Sequence, residues 1–490
     1  MYITILIYSN IYIITNKLGV YILKIIAEHQ ISNNIEISLL ISTYNKSQFI
    51  KNTLNSILKQ SLDKSKFEVI VVDDCSTDDT LEIVERIITE FSNYKLVQLN
   101  ENSGTPAKPR NLSIDLSKGK FLMFVDGDDW LPENAVEKLY TMLKLNKTDY
   151  ATGLTKYMYN NKVGRAGVTL SKIAQNKLDI KHYRKSFYHL APAGRMIKSE
   201  IIKNNNIRFP SMIYGEDLQF FAEVFFHVNK ISTTQDVVYF ANRYKDNVSL
   251  VKSKDSTLNN RMIFQMRAYK NLVSKYKNNN LFKNLVIRLL NRDILSAKFY
   301  SYKFIKEIDV MLPTLQKAIK LIEKDFKVKH LLDDELNQKA IKLIKKNNKR
   351  KIIKFIEWYL NKDSEKLHFK RNKAYYIYKN RHYKKKMHVI LKKVTKKNGS
   401  TILYFTSKNS SINFMEVKNR KDPTQYHILK VQNNLFKPGE YSVKFKTGNL
   451  PKGKIALTVL DEEFNSSVIK IEGDFGFYKT INDNLGFIKK

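Results

Sequence analysis

The sequence predicts an α/β fold for its first half, followed by a basic helical region and a small β-sandwich or barrel. Between residues 36 and 251, short apolar runs alternate with amphipathic segments, which is typical of a parallel sheet covered by helices. From 252 to 390, Pro and Gly nearly vanish and apolar residues recur at helical spacing. From 391 to 490, six short β-patterned runs are separated by turn residues.

The elements of the first region follow one another in strict alternation. The predicted buried strands are EISLLIST, KFEVIVVDD, KLVQLN and KFLMFVD. The predicted helices are KSQFIKNTLNSILKQ, a segment from Ser76 to about Phe91, and RNLSIDLSKG, which closes at Gly119. Ser76 followed by Asp79 resembles a capping box. Because ligands of such sheets bind beyond the carboxyl ends of the strands, the acidic runs VVDD and FVDGDD are expected to meet in one crevice.

Size and charge limit the classes of protein. The 490 residues suffice for two to four domains, and the net charge of +38 favours a polyanionic partner: nucleic acid, an acidic membrane face or an anionic polymer. The single cysteine, Cys75, excludes an intramolecular disulfide and a Cys-based zinc site, which fits a reducing cytoplasm.

The N-terminal residues 1–35 are expected to form an apolar extension. Polar residues such as Ser9 and Lys17 interrupt the run, so no stretch reaches the ~20 apolar residues of a membrane span. A basic leader and a small-residue cleavage site are also missing from this pattern. Two interpretations remain open: an extension that the fold does not need, and an anchor on a membrane surface.

The segment FLMFVDGDDWL carries the strongest chemical signal. Asp126 and Asp128 follow a predicted buried strand, and carboxylates so close together repel unless a cation joins them. Mg²⁺ and Mn²⁺ prefer such hard oxygen ligands, completed by substrate phosphates. Gly127 is expected to leave room for a ligand. The alternative is a turn in which Asp129 begins a helix.

Two further motifs are expected at the same edge. In STYN, polar residues follow a strand and open a helix, where free backbone N–H groups meet a nucleotide or an Asn simply caps the helix. The loop NENSGTPAKPRN delivers Arg110 to this edge, although a lone arginine is more often a solvated surface residue.

The motifs STYN, VVDDCSTDDT, NSGTPAKPRN, VDGDDW and YGEDLQFF occur in the order and spacing of the family 2 glycosyltransferases. Within that family the chain resembles the staphylococcal-type enzymes that add N-acetylglucosamine to poly(ribitol phosphate) wall teichoic acid. The resemblance covers about Ile37 to Val251. It implies a GT-A fold, a UDP-sugar donor, a divalent metal (Mn²⁺ or Mg²⁺) and inversion at the anomeric carbon.

The resemblance also implies roles for donor-site residues. Asp126 would face ribose and metal, and Asp128 would be the principal metal ligand. Relatives usually carry Pro at the position of Ser42 and often His at that of Asn247, so those two contacts differ here. The remaining residues implied to touch the nucleotide sugar are Ser42 and Thr43 beside the nucleotide, Asp74, Asn102 and Arg110 around uracil and ribose, and Arg243, Asn247, Val248 and Ser249 over the diphosphate.

Asp217 in GEDLQFF would be the general base. Inversion needs a carboxylate that takes a proton from the attacking hydroxyl, and burial beside Glu216 would raise its pKa for that purpose. Without the resemblance, the default interpretation of these two carboxylates is stabilisation of a helix N-terminus.

The basic second half suits an anionic acceptor. Arg288 and Arg292 lie four residues apart on one predicted helical face and are candidate phosphate contacts, with a solvated basic stripe as the alternative. The segment RNKAYYIYKNRHYKKK suits polymer or membrane-surface binding, or an amphipathic helix with buried tyrosines. By resemblance the C-terminal part helps to assemble a homotrimer.

Other functions remain open at this stage. Within the same class, the acceptor is alternatively a capsular or exopolysaccharide chain. From another class, the charge permits a nucleic-acid-binding protein with a degenerate transferase domain, but no helix-turn-helix, zinc-finger or RNA-recognition pattern occurs, so no nucleic acid is expected. The predicted location is the cytoplasm, with peripheral contact at the inner face of the membrane as an alternative.

Overall fold

The computed structural model forms two compact units, one of Met1–Ser256 with Phe264–Asn279 and one of Thr257–Ile263 with Asn280–Lys490. The residues it describes are 4–8, 11–16, 19–247, 257–295, 299–361, 367–370, 373–398, 400–435, 437–451, 453–463, 466–471, 478–479 and 485–489. Each unit is described by itself below.

Twelve strands among the described residues form a mixed sheet, which is the frame of the first unit. Its order is β1-β2-β3-β6-β5-β4-β7-β11-β8-β12-β10, with β9 on β8. The strands are β1 Thr4–Tyr8, β2 Ile11–Asn16, β3 Gly19–Gln30, β4 Ile37–Thr43, β5 Phe67–Asp73, β6 Asn93–Leu99, β7 Phe121–Asp126, β8 Tyr150–Met158, β9 Val163–Ala166, β10 Gln175–Asp179, β11 Arg195–Lys198 and β12 Lys230–Asn242.

The predicted parallel sheet is confirmed at the centre of this frame. Strand β4 lies parallel to β5 and β7, and β5 is parallel to β6. The register pairs Ser42 with Asp126 and Thr43 with Asp73, so the polar residues that end these strands share one edge. The interiors of β4, β5 and β7 are almost entirely buried, which is why their sequences are continuous apolar runs.

Helices cover the sheet through apolar residues at helical spacing; α1, for example, buries Ile50, Leu54 and Ile57. Helix α2 begins at Thr80, so the capping box expected at Ser76 and Asp79 is wrong. Ser76 instead donates from N and Oγ to the carboxylate of Asp73. The helices are α1 Ile50–Leu58, α2 Thr80–Ile88, α3 Ala107–Leu116, α4 Ala135–Asn146, α5 Val168–Ser171, α6 Ser199–Asn204 and α7 Glu216–His227.

The N-terminal residues extend the sheet. Strands β1, β2 and β3 form successive antiparallel hairpins, and β3 pairs with β6 in a register that places Leu23 opposite Leu99. Leu23 is fully buried. The interrupted apolar pattern of residues 1–35 is therefore that of edge strands, whose pairing covers β6.

The first part of the second unit is helical. The helices that follow the sheet domain are α8 Leu258–Tyr276, whose residues belong to both units, then α9 Phe282–Arg288, α10 Tyr302–Lys306, α11 Ile308–Glu323, α12 Glu335–Lys345 and α13 Lys349–Leu360. A π-helical turn over Leu289–Ile294 continues α9. Across the part of the chain that the structure describes, no helix has the length and apolar character needed to cross a bilayer.

The remainder of the second unit is β-rich, as predicted. The segment RNKAYYIYKNRHYKKK contributes strands, so the amphipathic-helix interpretation of it is wrong. Strands β13 Leu367–Lys370, β14 Lys373–Tyr378 and β15 Arg381–Lys384 form one sheet. The helices thus end at Leu360, before the expected boundary at 390, and the division into domains stays a prediction.

The last ten strands among the described residues form a second sheet of this unit, in the order β19-β18-β22-β23-β16-β17-β21-β20 with β25 on β22 and β24. A buried cluster that includes Val389, Leu403, Met415 and Val459 forms its core. The strands are β16 His388–Lys397, β17 Ser400–Lys408, β18 Phe414–Asn419, β19 Tyr426–Lys430, β20 Gln432–Asn433, β21 Glu440–Lys446, β22 Gly453–Leu460, β23 Ser466–Ile471, β24 Tyr478–Lys479 and β25 Leu485–Lys489.

Candidate active site

Backbone hydrogen bonds hold the strand ends of the first unit together. The N–H of Asp74 donates to the carbonyl of Thr43 (2.9 Å), and the N–H of Gly127 donates to the carbonyl of Ser42 (3.1 Å). The polar residues that follow β4, β5 and β7 therefore lie side by side, as the sequence predicts. Ser42 is half-buried and Thr43 is buried at this edge.

Asp74 and Asn102 are brought together as expected. Asn102 Nδ2 donates to the backbone carbonyl of Asp74 (3.1 Å) and to its Oδ2 (3.3 Å). Ser103 adds hydrogen bonds from N (3.0 Å) and Oγ (2.9 Å) to the same carboxylate. Burial, together with the charge of the neighbouring Asp73, raises the pKa of Asp74 to about 6 against these hydrogen bonds. This rim of the crevice offers a carboxylate and an amide to a ligand.

Arg110 joins two of the predicted functional carboxylates. Its Nη2 lies 2.7 Å from Asp126 Oδ1, and its Nη1 lies 3.0 Å from Asp217 Oδ1 and 3.8 Å from Glu216 Oε1. The guanidinium also lies 5.2 Å from the ring centroid of Phe209. Only 7% of the Arg110 side chain is exposed, so it is no solvated surface arginine.

The charge of Arg110 is set by its neighbours. Burial lowers the pKa of Arg110, but the carboxylates of Asp126, Asp217 and Glu216 outweigh burial and raise it overall. Arg110 is thus a fixed cation between the end of β7 and the start of α7. Nothing in the sequence predicts its pairing with Asp217, because the two residues are 107 positions apart.

Asp217 lies in the first turn of α7, which Gly215 opens with a left-handed φ of 83°. Burial raises the pKa of Asp217, whereas Arg110 opposes that rise. Burial, and then the charge of Asp217, raises the pKa of Glu216 to about 8. Because 29% of the Asp217 side chain is exposed against 11% for Glu216, Asp217 is the more accessible proton acceptor.

Asp128 is held by a different cation. Lys46 Nζ lies 2.9 Å from Asp128 Oδ2 and donates to Asn247 Oδ1 at 3.0 Å, while Asn247 Nδ2 donates to Asp128 Oδ2 at 2.9 Å. These three side chains come from segments that follow β4, β7 and β12. Asn247 thus lies beside Asp128, and its contact with a diphosphate stays a prediction. Val248 and Ser249 lie outside the described residues, and Lys46 was missed. The only signal for Lys46 was its position after STYN.

Asp129 connects β7 to β12. Its Oδ1 accepts from the backbone N–H of Asn242 (2.7 Å), and it is buried. Burial, followed by the charges of Asp128 and Asp126, raises its pKa well above the usual range. Helix α4 begins only at Ala135, so the expectation that Asp129 begins a helix is wrong.

Arg243 is placed near the same acidic group. Its guanidinium lies 5.0 Å from the ring centroid of Tyr157, and its Nη1 donates to the carbonyl of Asn242 (2.7 Å). Burial lowers the pKa of Arg243, and the charges of Asp129, Tyr157 and the neighbouring aspartates raise it overall. The expected position of Arg243 beside the acidic crevice agrees with this geometry, and its contact with a diphosphate stays a prediction.

Gly127 serves packing rather than ligand access. A Cβ at this position would lie 2.8 Å from Thr43 Oγ1 and 2.9 Å from Thr43 Cβ. Thr53 Oγ1 donates to the carbonyl of Gly127 (3.1 Å). The space that the glycine leaves is therefore taken by the end of β4, which corrects the expectation that it makes room for a ligand.

Asp126 and Asp128 fit a divalent ion through the chemistry of their oxygens. Across the described ranges no group of three His, Cys, Asp or Glu side chains could enclose a metal ion. A site of one or two carboxylates completed by substrate phosphates needs no such group. The ammonium of Lys46 already rests on Asp128, which shows that this carboxylate accepts a cation.

Arg288 and Arg292 belong to the second unit. Arg288 Nη1 forms an ion pair with Asp293 Oδ2 at 2.5 Å, and both side chains are largely buried. Arg292 is exposed on the π-helical turn. Arg288 and Arg292 were expected on one face of a regular α-helix. The π-helical turn changes their relative direction, because each residue of a π-helix advances by a smaller angle around the axis. Their contact with an acceptor stays a prediction.

Comparison with known sequences agrees with this geometry. Residues 38–205 match the family described as "Glycosyl transferase family 2". The poly(ribitol-phosphate) beta-N-acetylglucosaminyltransferase TarS of Staphylococcus aureus is 33% identical over 207 residues, 42% of this chain and 35% of TarS. A poly(ribitol-phosphate) beta-glucosyltransferase of Bacillus spizizenii is 30% identical over 207 residues, 42% of this chain and 32% of that enzyme. This chain thus matches about a third of the length of these relatives.

Another relative, the S. aureus poly(ribitol-phosphate) beta-N-acetylglucosaminyltransferase TarP, is 28% identical over 260 residues, 49% of this chain and 76% of TarP. Among solved structures, S. aureus TarS 1–349 in complex with UDP-GlcNAc superposes with a TM-score of 0.60 at 22% identity, covering 72% of this chain and 99% of that one. A crystal structure of S. aureus TarS superposes with a TM-score of 0.59 at 18% identity, covering 92% of this chain and 84% of that one. The fold of the first unit is therefore the expected GT-A fold, and the chain carries a family 2 glycosyltransferase domain.

Proposed function

We propose that this chain, with its family 2 glycosyltransferase domain, transfers a sugar from a UDP-sugar to poly(ribitol phosphate) wall teichoic acid. The names of the three relatives support poly(ribitol phosphate) as the acceptor. They differ in the sugar that is transferred: two are named as N-acetylglucosaminyltransferases and one as a glucosyltransferase. N-acetylglucosamine is our first choice of donor sugar. The net charge of +38 also suits an acceptor with a phosphate in every repeat.

The observation that carries this proposal is the bridge that Arg110 makes between Asp126 and Asp217. An inverting transferase needs acidic groups for the donor and a separate carboxylate for the acceptor hydroxyl. Arg110 holds the carboxylates of Asp126 and Asp217 on one guanidinium, beside the carboxyl ends of the parallel strands where ligands of such sheets bind. Such a pair of carboxylates would repel the phosphates of a nucleic acid, which does not favour nucleic-acid binding at this site.

The proposed step is a single displacement. The acceptor hydroxyl oxygen attacks the anomeric carbon, the bond from that carbon to the UDP oxygen breaks, and UDP leaves with the electron pair. Asp217 takes the hydroxyl proton and later releases it to solvent. The products are the glycoside with inverted configuration, UDP and one proton. The raised pKa of Asp217 favours this role, because a stronger base accepts the proton more readily.

The donor is bound at the strand ends in this proposal. Asp128 and Asp126 would hold Mn²⁺ or Mg²⁺, which neutralises charge on the diphosphate leaving group when it is bound. Ser42, Thr43, Asp74 and Asn102 would contact the nucleoside. Arg243 would contact the diphosphate, together with Asn247 and the neighbouring Val248 and Ser249.

The acceptor and the assembly state complete the proposal. Arg292 is exposed and suits a phosphate contact, whereas Arg288 would have to share its guanidinium with Asp293. Assembly into a homotrimer through the C-terminal part, and a cytoplasmic location with peripheral contact at the membrane, follow from the resemblance. Light scattering would measure the assembly state, and cell fractionation would measure the location.

The decisive experiment measures UDP release and product mass with UDP-N-acetylglucosamine or UDP-glucose, each with and without purified poly(ribitol phosphate). Asp217→Asn should lower turnover by at least about a hundredfold, the range expected for loss of a general base. Asp236→Asn, at an exposed carboxylate paired with Lys138, is the matched control and should keep turnover. Transfer to no teichoic acid or capsular polymer in a panel, or full activity of Asp217→Asn, would contradict the proposal.

A further inference from the structure

Five cations lie close together on the second unit and form what we call the basic cluster: Lys339, Lys342, Lys346, Lys379 and Arg381. The first three recur at spacings of three and four residues on α12 and its C-cap, and therefore lie on one face of the helix. The other two lie at the turn between β14 and β15. All except the half-buried Lys339 are exposed.

The turn of the hairpin is fixed in place beside the helix. Lys379 and Asn380 both have a left-handed φ (48° and 58°), and the register pairs Tyr378 with Arg381 across this two-residue turn. The backbone N–H of Lys384 in β15 donates to Glu335 Oε2 (2.8 Å) at the first residue of α12. The cluster is therefore a defined surface and not a chance encounter of two mobile elements.

The charges of the basic cluster are not balanced by acidic side chains. None of the five forms an ion pair with any residue in the described parts of the chain. On the same helix, by contrast, Lys345 pairs with Glu323 at 2.8 Å. Burial and the four neighbouring cations lower the pKa of Lys339, so the repulsion of the cluster falls on this half-buried ammonium. An anion bound there would relieve that repulsion.

We propose that the basic cluster binds the phosphodiester groups of an anionic polymer. The polymer's identity as the teichoic acid acceptor rests on the proposed function. A run of cations about 10 Å long on the helix, at 1.5 Å per residue, suits a flexible chain of repeated charges better than a single phosphate. The hairpin tip, Lys379–Asn380, offers no apolar side chain to enter a lipid layer, which favours a polymer over a membrane.

The basic cluster belongs to the second unit and contains none of the residues proposed to act on the donor or on the acceptor hydroxyl. Its effect should therefore appear in the affinity for long polymer and in the KM of long acceptors, while kcat and the turnover of a single-repeat acceptor stay the same. A role confined to folding would change all of these together.

The test compares full-length wild type with the variant Lys342→Gln, Lys346→Gln, Lys379→Gln and Arg381→Gln. Binding to fluorescent poly(ribitol phosphate) is followed by anisotropy between about 50 and 200 mM NaCl. We expect affinity to fall at least tenfold, and the slope of log affinity against log salt to decrease by about 3, at about 0.7 per lost contact with a flexible polyanion. The matched control replaces four other exposed cations of the same unit, Lys317, Lys320, Lys324 and Lys329, by Gln.

The outcomes separate this inference from the proposed function. Cluster-dependent polymer binding without any sugar transfer would support the cluster and contradict the transferase assignment. Equal affinity and salt slope in wild type and cluster variant, or an equal loss in the control variant, would overturn the inference. Cluster-dependent binding to vesicles with anionic lipid, without binding to polymer, would also overturn it in favour of a membrane contact.

Discussion

Arg110 and Asp217 lie 3.0 Å apart, Nη1 to Oδ1, and the other nitrogen of the same guanidinium fork holds Asp126 at 2.7 Å. The residue proposed to take the acceptor proton is thus electrostatically tied to the residue proposed to face the donor. Arg110 favours the ionised form of Asp217, which a base requires, and fixes the position of the carboxylate. We therefore regard Arg110 as a positioning residue for Asp217.

The first prediction concerns the acidic limb of the pH profile of kcat/KM. Asp217 must be ionised to act, so activity should fall as pH drops through its pKa, which burial raises above the ordinary value of an aspartate. Arg110→Gln removes the cation that opposes this rise. The limb should therefore move to higher pH, whereas Arg110→Lys should move it less.

The control for this prediction is Lys108→Gln on the same helix, a partly exposed cation whose loss should leave the limb in place. Because Arg110→Gln also leaves the half-buried carboxylates of Asp126 and Asp217 without their cation, a loss of stability of about 1–3 kcal/mol is expected and should be measured alongside. An acidic limb that stays fixed in both Arg110 variants would show that Arg110 does not act through Asp217.

The second prediction concerns the stability of the fold around Asp74. Its pKa is about 6 in the folded protein, above the ordinary value of an unfolded chain. The folded state therefore binds the proton more tightly, and this stabilisation is complete below the unfolded pKa and lost as pH rises through about 6. Asp74→Asn removes the titrating group, but its amide nitrogen cannot accept hydrogen bonds from Asn102 or Ser103, so the prediction concerns the pH dependence of stability and not its absolute value.

Urea denaturation at several pH values measures the effect. The Asp74→Asn protein should lack the decline of stability between about pH 4 and 6 that wild type shows, since the titrating group is gone. Asp79→Asn, at an exposed carboxylate five residues away, should leave that decline in place. The same Asp74 variant should bind UDP more weakly. Wild-type and variant curves of identical shape would contradict the assignment of this decline to Asp74.

The third prediction concerns the cation that rests on Asp128. A divalent ion must compete with Lys46, whose ammonium lies 2.9 Å from Asp128 Oδ2. Lys46→Met should therefore tighten Mn²⁺ binding to the ligand-free protein by about tenfold, since about 1.4 kcal/mol of competing interaction corresponds to that factor. Calorimetric titration measures this without any turnover.

Matched variants make the Lys46 experiment specific. Lys46→Arg keeps the competing charge, and Lys51→Met removes an exposed lysine from α1, so both should bind the ion as wild type does. Asp128→Asn should abolish binding. Chelation of divalent ions should stop sugar transfer by wild type. Weaker Mn²⁺ binding in Lys46→Met would mean that the lysine supports the ion instead of competing with it.

The fourth prediction concerns Gly127. Gly127→Ala places a Cβ 2.8 Å from Thr43 Oγ1 and 2.9 Å from Thr43 Cβ, so the end of β4 or the end of β7 would have to shift. We expect a loss of about 1–3 kcal/mol of stability, the usual effect of overpacking. Thermal unfolding measures it. Gly448→Ala, where nothing lies within 4 Å of the added carbon, should have a much smaller effect. Similar losses for both variants would contradict the packing explanation.

The sequence alone was sufficient for the parallel strands and for the motifs at their ends. Continuous apolar runs can form only buried strands or helices, and the motif order then places Asp74, Asp126 and Asp128 at one edge. The hydrogen-bond partners of short polar side chains could not be predicted from the sequence. Ser76 donates to Asp73 instead of capping α2, and Asp129 accepts from Asn242 instead of beginning a helix. Several nearby partners compete for such short polar side chains.

The local sequence pattern did not identify the secondary structure of two segments. The first thirty-five residues were expected to be an extension, and residues 371–386 an amphipathic helix or a surface segment, yet both contribute strands. A strand at the edge of a sheet gains its stability from a partner that is distant in sequence, as β3 does from β6. Local pattern carries no information about that partner.

The sequence by itself determined the sheet, the acidic strand ends and the excess of positive charge, because these depend on residue type and local spacing. Only the tertiary structure decided which cation meets which carboxylate: Arg110 with Asp126 and Asp217, Lys46 with Asp128, and Arg288 with Asp293. With 85 Lys and Arg residues against 47 Asp and Glu, the number of pairings is large. The energy of an ion pair depends on the distance between the two charges. Only folding brings side chains from distant segments within that distance of one another.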